Sequence, residues 1–380
     1  MSAKKQNKST KQDARNIQKN QKKPVVIRIL RDVGLGILAI VLLVAYFFGW
    51  LTVGEFRPDD VERVEINGTS KYVLYPGTSL RIVSWNIGYG ALGDNADFFM
   101  DGGSGVITSD QWRVEANVQS VINELAYIDP DMILLQECDV DSRRSYSIDE
   151  VTWITDELSY GQYTFAYNYR CLFVPYPIPP IGGVNSGLLT MSAYTVRSSE
   201  RIQLPCPFSW PVRLANLKRC LLVDRLPISG TGKELVLVNL HLEAYDNGEG
   251  KIAQTEMLRE FLQAEVAKGN YVIAGGDFNQ IFSSIENPYP VREGVWQPGE
   301  IDVSVFDDGW QFLMDTSLPS CRSLDRPLVG EDTEDFQFYL IDGFIVSEGI
   351  EILDLQTRDL GFVNSDHNPV VLEVRLPWNF

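Results

Sequence analysis

An uninterrupted apolar segment dominates the first part of the chain. Residues 33–53 carry no charged side chain, and these 21 residues are long enough to cross a bilayer as a helix. Tyr46 and Trp50 lie toward the far end of the segment, where amphipathic rings favour the membrane interface. The pattern therefore predicts one N-terminal transmembrane helix.

Beyond this segment, short apolar runs alternate with polar and glycine-rich turns. The runs predict strands at residues 81–86, 132–137, 163–169, 187–192, 217–226, 235–241, 272–276, 339–346 and 370–374. Helical spacing predicts one helix with an apolar face of Val114, Val118, Val121, Ile122 and Leu125. It predicts a second helix over residues 251–268 with an apolar face of Ala253, Met257, Phe261 and Ala264. The excess of strands predicts an α/β domain in which sheets pack on each other and are covered by helices.

These patterns divide the chain into four parts. Residues 1–32, rich in Lys, Gln and Asn, are predicted to be a disordered basic tail, and residues 33–53 the transmembrane helix. Residues 54–79 are predicted to be a linker and a first strand. Residues 80–380 form the folded domain, and roughly 300 residues are feasible as one domain.

Charge is distributed unevenly between these parts. The 380 residues have a net charge of −18, yet residues 1–53 hold ten basic and only two acidic side chains. The remainder therefore has 23 basic and 49 acidic residues, a net charge of −26. So negative a surface repels polyanions, which disfavours nonspecific binding of long nucleic acids.

The same asymmetry predicts the orientation of the helix. Basic residues precede the apolar run and acids such as Glu55 and Asp59 follow it. By the positive-inside rule, the tail is cytoplasmic and the large domain lies across the membrane. A cleaved signal peptide is the alternative, although the run is longer than a usual signal core and no clean small-x-small cleavage site follows it. We therefore expect a single-pass protein of the cell membrane with an extracytoplasmic domain.

The cysteines do not define a covalent framework. The chain has five: Cys138, Cys171, Cys206, Cys220 and Cys321. An odd number describes no closed set of disulfides, and the spacings match no zinc motif. We interpret them as buried thiols, with a Cys206–Cys220 bridge left open for an oxidising compartment.

Polar residues gather where the apolar strands end. Asn86, Glu137 and His241 end three predicted strands, and Asp277 follows a fourth. Ligand sites in α/β architectures form where strand ends converge. Carboxylates with amide support suit Mg²⁺, which accepts one or two carboxylates together with water and substrate phosphate. The sequence therefore predicts a Mg²⁺ site, with Mn²⁺ as an alternative ion.

The chain has two histidines, and both lie in such clusters. His241 is followed closely by Glu243, and His367 directly follows Asp366. A neutral imidazole oriented by a carboxylate is the usual general base for activating water. Two structural histidines would be the alternative, but the position of both beside acids favours a functional role. Glu243 itself is predicted to be solvated and without a role.

Six short motifs occur in a fixed order, each at a strand end. They are Ser84-Trp-Asn86, Leu135-Gln-Glu137, Asn239-Leu-His-Leu242, Gly275-Gly-Asp-Phe-Asn279, Ile341-Asp342 and Ser365-Asp-His367. Over residues 80–375 this series resembles the endonuclease/exonuclease/phosphatase superfamily, which is deoxyribonuclease-I-like. The resemblance implies a four-layer fold, a two-sheet β-sandwich flanked by helices, with the site at one edge.

The resemblance also implies a metal site. Glu137, assisted by Asn86, would hold Mg²⁺, and Asp366 would lie near the metal. Gly343 departs from the pattern, because many relatives carry an aromatic residue after the preceding aspartate.

Catalytic roles are implied for five further residues. His367, oriented by Asp342, would activate or stabilise the attacking group. Asp277 would position the water, and Asn279 would bind a phosphate oxygen. His241 would donate to the scissile phosphate. In-line attack at phosphorus would follow, with the metal and the donors neutralising the developing charge.

The substrate class is narrowed by three features. The segment 241–244, followed by residues 254–256 on a helix, is more similar to the sphingomyelinases and inositol-polyphosphate phosphatases of the superfamily than to its abasic-site nucleases. The acidic domain disfavours long DNA, and the anchor places the site near a bilayer. The apolar, proline-rich residues 171–181 are either a lipid contact or a packed crossing.

We therefore expect a phosphoester hydrolase that acts on a phospholipid or a phosphorylated head group. An extracytoplasmic metal-dependent nuclease is the alternative. A catalytically inactive, membrane-tethered binding module on the same fold is a third hypothesis.

Overall fold

The computed structural model describes residues 3–331, 333 and 336–378 and forms two compact units, Met1–Glu55 and Phe56–Phe380. The first unit is the helix α1 (Ala3–Val53). Its part Val25–Val53 has 29 residues and contains an 18-residue window with a mean hydropathy of 2.4, and is therefore long and apolar enough to cross a membrane. A signal sequence would meet the same criteria.

Helix α1 begins at Ala3 and therefore includes residues of the tail for which disorder was predicted. The prediction rested on the low apolar content of residues 1–32, which indicates that no core forms there. Lys, Gln, Arg and Ala are nevertheless good helix formers. Once a helix is nucleated, each further residue adds at little cost, so the tail continues the apolar helix.

The second unit contains, among the described residues, the helices α2 (Gln111–Ile128), α3 (Glu150–Leu158) and α4 (Glu249–Ala267). Its strands in chain order are β1 (Val61–Arg63), β2 (Asn67–Gly68), β3 (Ser79–Asn86), β4 (Met132–Asp139), β5 (Gln162–Val174), β6 (Gly182–Ser192), β7 (Ser198–Gln203), β8 (Cys220–Pro227), β9 (Glu234–His241), β10 (Tyr271–Asp277), β11 (Gln280–Phe282), β12 (Gly299–Ile301), β13 (Gln311–Leu313), β14 (Cys321–Arg322), β15 (Phe338–Tyr339), β16 (Asp342–Val346), β17 (Glu351–Thr357) and β18 (Val370–Arg375).

Most strands belong to two seven-stranded sheets. Sheet I has the order β1-β7-β8-β9-β10-β16-β13, and sheet II has the order β17-β18-β3-β4-β6-β5-β2. Each sheet contains one parallel pair whose strands are joined through a helix, β9–α4–β10 in sheet I and β3–α2–β4 in sheet II. The predicted first strand within residues 54–79 is two short strands, β1 and β2, one at an edge of each sheet.

Four layers result from the way the apolar faces are buried. Residues of both sheets, among them Ile82, Leu134, Leu237 and Phe344, form a core between the sheets. A second core lies between sheet II and the helices α2 and α3, and a third lies between sheet I and α4. The predicted two-sheet β-sandwich flanked by helices is confirmed.

The apolar face predicted for α2 is confirmed, since all five of its residues are buried. Asp110 begins this helix by accepting a hydrogen bond from the Arg113 backbone N–H at 2.8 Å. The face predicted for α4 is confirmed only in part. Met257 and Phe261 are half-buried and pack against the core, but Leu258 and Leu262 are the fully buried residues and Ala264 is exposed.

The contacts of Glu265 explain the rotation of α4. This carboxylate accepts two hydrogen bonds of 2.8 Å from the guanidinium of Arg225 on β8. A polar side chain therefore occupies an inward position and turns the buried face by one residue. Apolar spacing alone could not predict this interior ion pair.

Strand β5 is longer than predicted and ends with Val174. The prolines that argued against a strand begin only at Pro175, so residues 171–174 remain paired with β6. Residues 175–181 form the actual proline-rich loop, and its Ile178 side chain is 95% exposed.

Candidate active site

Strand register brings three predicted site residues into one row on sheet I. Asp277, at the end of β10, lies opposite His241 of β9 in the parallel ladder. Across its other edge, Asp277 lies opposite Asp342 of β16 in the antiparallel ladder. All three are buried. Positions far apart in the sequence therefore meet because three apolar strands end at the same level.

Sheet II contributes residues from the ends of β3 and β4. Asn86 is the last residue of β3. Glu137 lies where the pairing of β4 with β6 shifts register between Leu135 and Cys138, and its φ is +56°. Such a bulge redirects a side chain. A positive φ is costly for a non-glycine residue. The strained backbone at Glu137 therefore turns its carboxylate out of the regular strand alternation.

Asn86 connects the two sheets. Its Nδ2 donates to Glu137 Oε1 at 3.2 Å and to Asp277 Oδ2 at 3.1 Å. Its Oδ1 accepts a hydrogen bond from the Gly88 backbone N–H at 3.0 Å, which defines the orientation of the amide. In this arrangement Asn86 orients two carboxylates through its nitrogen.

His367 and Asp342 form a buried pair. Their Nδ1 and Oδ2 atoms are 2.8 Å apart, while His367 Nε2 lies 3.8 Å from Asp277 Oδ2 and 4.0 Å from Asp366 Oδ2. Burial alone would lower the pKa of His367, but the surrounding anions, Asp342 first, raise it well above its ordinary value. The imidazole is therefore held protonated, with one N–H on Asp342 and the other directed toward the carboxylates.

His241 has the opposite electrostatic character. Burial and the nearby positive charges of Arg219 and His367 hold its pKa well below the ordinary value, so the ring is neutral. Its Nε2 lies 3.3 Å from Asp277 Oδ2, and its Nδ1 has no hydrogen-bond partner among the described residues. Asn279 lies beside it, with its backbone N–H donating to Asp277 Oδ1 at 2.9 Å.

Two of the site carboxylates, Asp277 and Asp366, have a raised pKa. Burial raises the pKa of Asp277 to about 7, with His367 opposing and Asp342 adding to the shift. Burial raises the pKa of Asp366 to about 6, again opposed by His367 and increased by Glu137. Because these buried acids repel one another, a divalent cation between them would relieve the repulsion. The donor set therefore fits a hard metal ion.

The site residues line one pocket of about 1170 Å³ that opens to solvent. Six of the eight predicted residues line it: Glu137, His241, Asp277, Asn279, Asp366 and His367. The other two contact this lining directly, since Asn86 donates to Glu137 and Asp277 and Asp342 pairs with His367. The apolar part of the wall consists of Leu92, Phe98, Met100, Val174, Ile181 and Leu324.

Two buried ion pairs of this pocket were not predicted. Arg144 donates to both oxygens of Asp139, at 3.0 and 2.9 Å, and its guanidinium lies 3.6 Å over the Tyr89 ring. Arg219 Nε lies 3.3 Å from Glu243 Oε2.

The prediction that Glu243 is solvated is wrong, because only 3% of it is exposed. Its spacing of two residues from His241 was a signal for burial, since alternate residues of an extended chain share a face.

The cysteines are all free thiols, and four of the five are buried. The Cys206–Cys220 bridge left open by the sequence is therefore not formed in the structure.

Comparison with known proteins agrees with this geometry. The family model described as "Endonuclease/Exonuclease/phosphatase family" matches residues 83–367. No curated protein gave a significant match.

Several solved structures match this chain. The endonuclease/exonuclease/phosphatase from Beutenbergia cavernae matches with a TM-score of 0.52 and 18% identity, covering 79% of this chain and 72% of that chain. The protein of the same description from Bacteroides vulgatus matches with a TM-score of 0.50 and 15% identity, covering 79% and 99%. TDP2 from D. rerio, complexed with a single-strand DNA product, has a TM-score of 0.47 and 17% identity, covering 78% and 99%.

The matched region spans three quarters of the chain and contains every residue of the site described above. Members of this family are metal-dependent phosphoesterases and nucleases. The chain therefore belongs to the endonuclease/exonuclease/phosphatase family and is a metal-dependent hydrolase that acts on phosphoester bonds.

Proposed function

We propose that the protein hydrolyses a phosphodiester of a phospholipid or of a phosphorylated head group, with Mg²⁺, outside the cytoplasm. The observation that supports this most is a pocket whose lining has two contrasting parts. One part consists of His241, Asp277 and His367, the last of them paired with Asp342, and the other part is apolar.

Glu137 and Asp366 are the residues proposed to hold Mg²⁺. They are close enough for the Glu137 charge to raise the pKa of Asp366. Asn86, first predicted as a supporting ligand, is proposed to orient Glu137 through its Nδ2. When bound, the ion would neutralise negative charge on the substrate phosphate.

Asp277 is proposed to position the attacking water and to accept its proton. A pKa near 7 suits a general base at neutral pH, and the carboxylate lies between the two imidazoles. His367, held protonated by Asp342, would then stabilise the phosphoryl charge and would not itself be the base. Neutral His241 would donate an N–H to the scissile phosphate, and Asn279 would bind a second phosphate oxygen.

The charges of the pocket favour a substrate with a single phosphodiester. Three arginines line it, and each already binds protein acceptors. Arg144 binds Asp139, Arg219 binds Glu243, and Arg322 donates to the Gly93 and Ala96 carbonyls at 2.6 and 3.1 Å. A polyphosphorylated head group or a long nucleic acid would need cations that are available for additional phosphates.

The apolar wall and rim favour a substrate with a hydrocarbon part. Phe98, Met100 and Val174 line the wall, as do Tyr176 and Ile181 of the loop at residues 175–181, whose Ile178 is 95% exposed. Exposed apolar and aromatic side chains at a pocket mouth are suited to a lipid interface. A helix with the apolar character of α1 would keep the domain at such an interface.

The orientation of α1 is proposed from the charges that flank it, with residues 1–32 cytoplasmic. Protease added to intact cells should then degrade the domain, while a tag at residue 1 stays protected. A protected domain would contradict an extracytoplasmic site.

The substrate proposal is tested with the full-length protein in detergent and Mg²⁺. Sphingomyelin, phosphatidylinositol phosphates and plasmid DNA are compared as substrates at equal phosphodiester concentration. Turnover of a lipid with little nicking of plasmid is expected. Nicking of plasmid without lipid turnover would contradict the lipid proposal and favour the nuclease alternative.

A further inference from the structure

Cys321 is placed beside the catalytic histidine by the backbone. It forms an isolated antiparallel bridge with His367, and the Arg322 N–H donates to the Asp366 carbonyl at 3.0 Å. Cys321 lines the same pocket as Asp366 and His367 and is only 5% exposed. Its thiol has no part in the hydrolysis proposed above.

The three side chains together offer a mixed ligand set. One sulfur of Cys321, one oxygen of Asp366 and one nitrogen of His367 all lie within 4.8 Å of one another. Zinc bonds of about 2.0–2.3 Å place neighbouring tetrahedral ligands roughly 3.5 Å apart. Small side-chain rotations therefore suffice to gather the three atoms around one ion, with the fourth position open to the pocket.

His367 is already oriented as a metal-binding histidine usually is, and an ion bound here would displace the Nε2 proton of His367 and the thiol proton of Cys321 to solvent. The Nδ1 of His367 is paired with Asp342 at 2.8 Å, so Nε2 is the ring nitrogen directed at Asp366. A carboxylate on the second ring nitrogen fixes the tautomer and the ring plane of a histidine ligand.

The sulfur ligand determines which metal ion these three side chains prefer. Mg²⁺ takes oxygen ligands, whereas a thiolate with an imidazole and a carboxylate is typical of Zn²⁺. Because Asp366 and His367 also belong to the proposed catalytic centre, an ion held here would remove both from the reaction.

We propose that Cys321, Asp366 and His367 form a Zn²⁺ site that overlaps the Mg²⁺-dependent centre and inhibits hydrolysis when it is filled. Binding of the ion is independent of the reaction. Inhibition rests on the function proposed above for His367 and Asp366.

Binding is tested with Co²⁺ as a spectroscopic substitute for Zn²⁺ in the full-length protein in detergent. We expect a thiolate-to-Co²⁺ charge-transfer band that saturates at one ion per chain and disappears when Zn²⁺ is added. Cys321→Ser should lose the band. Cys206→Ser, which removes the half-buried thiol outside the site, should keep it. A band of unchanged intensity in Cys321→Ser would overturn the proposal, whether or not the protein is active.

Inhibition is tested by titrating Zn²⁺ at saturating Mg²⁺. With each rate expressed relative to the same protein without Zn²⁺, Cys321→Ser should raise the Zn²⁺ concentration for half-inhibition by about tenfold or more, since even an outer partner of a metal ligand contributes 10–100-fold. Equal inhibition of Cys321→Ser and of the wild-type protein would contradict the overlap of the two sites. If no substrate is turned over at all, the proposed function is contradicted. The cobalt band still shows whether Cys321 binds the ion.

Discussion

At the scale of single residues, the site depends on buried ion pairs. Asp342 pairs with His367, Asp139 with Arg144, and Glu243 with Arg219. Breaking such a pair leaves an uncompensated buried charge, which costs about 3–5 kcal/mol. A test of a catalytic role therefore needs a variant that preserves size and hydrogen bonding.

Asp342→Asn meets this requirement and removes only the charge. Without the carboxylate the pKa of His367 falls and the ring is no longer fixed in its protonated form, so kcat should decrease by roughly 10²–10⁴-fold. Steady-state kinetics with a soluble phosphodiester measure this. The matched control is Asp354→Asn, an exposed aspartate on β17, which should leave kcat unchanged. Equal kcat values for Asp342→Asn and wild type would contradict the proposed role of Asp342 in orienting and charging His367.

The eight site residues could be predicted from the sequence because each lies at a strand end within an ordered series of motifs. The two unpredicted arginines could not, since a buried ion pair depends on which strands become neighbours in space. The orientation of Asn86 was also beyond the sequence, because the Gly88 backbone N–H determines which amide atom faces the carboxylates.

At the scale of elements, the contact between the two sheets includes a buried acid. Asp224 of β8 accepts hydrogen bonds from Thr164 Oγ1 of β5 at 3.1 and 2.9 Å. Burial raises the pKa of Asp224 to about 7, although hydrogen bonds from Ser199 and Thr164 oppose the shift. In the folded protein this carboxyl therefore keeps its proton to a higher pH than in the unfolded chain.

Stability should consequently fall as pH rises through this range. Between about pH 4 and 7 the folded state binds more protons than the unfolded state, so the contribution of Asp224 to the unfolding free energy decreases with pH and is constant above 7. Asp224→Asn should remove the Asp224 contribution and make this slope shallower, and it should exceed wild type at pH 8 by at most about 4 kcal/mol. Urea denaturation at several pH values measures the difference, with Asp354→Asn as control. Parallel curves for Asp224→Asn and wild type would refute the assignment.

The loop at residues 175–181 gives a second prediction at this scale. Ile178→Asp places a charge at a tip that is 95% exposed, so folding should be unaffected while contact with lipid is weakened. We expect slower hydrolysis of lipid in vesicles and an unchanged rate on a soluble phosphodiester. Val305→Asp, a 48% exposed position outside the pocket lining, is the matched control. A proportional loss on both substrates would argue against a lipid contact.

Element types were more predictable than element faces. The α2 face followed from apolar spacing because its inward residues are all apolar or small amides. The α4 face followed only in part, because Glu265 points inward to Arg225 and a charged residue is read as exposed.

At the scale of the whole molecule, charge and hydropathy describe a consistent arrangement. A helix of membrane-spanning length is followed by an acidic domain whose pocket combines carboxylates, histidines and an apolar wall. The four-layer fold was predictable because the order of motifs covers nearly the entire domain. The pocket as a whole was not predictable from the sequence, because its walls come from loops that are distant in sequence.

The most direct test of the account is metal-dependent turnover of bis-p-nitrophenyl phosphate by the full-length protein. We predict turnover that EDTA abolishes and Mg²⁺ restores. Glu137→Gln should reduce the rate by more than the roughly 10–100-fold typical for loss of an outer partner of a metal ligand. Absence of turnover with Mg²⁺ or Mn²⁺, or turnover that persists in EDTA, would contradict the account. The first of these results would favour an inactive binding module on the same fold.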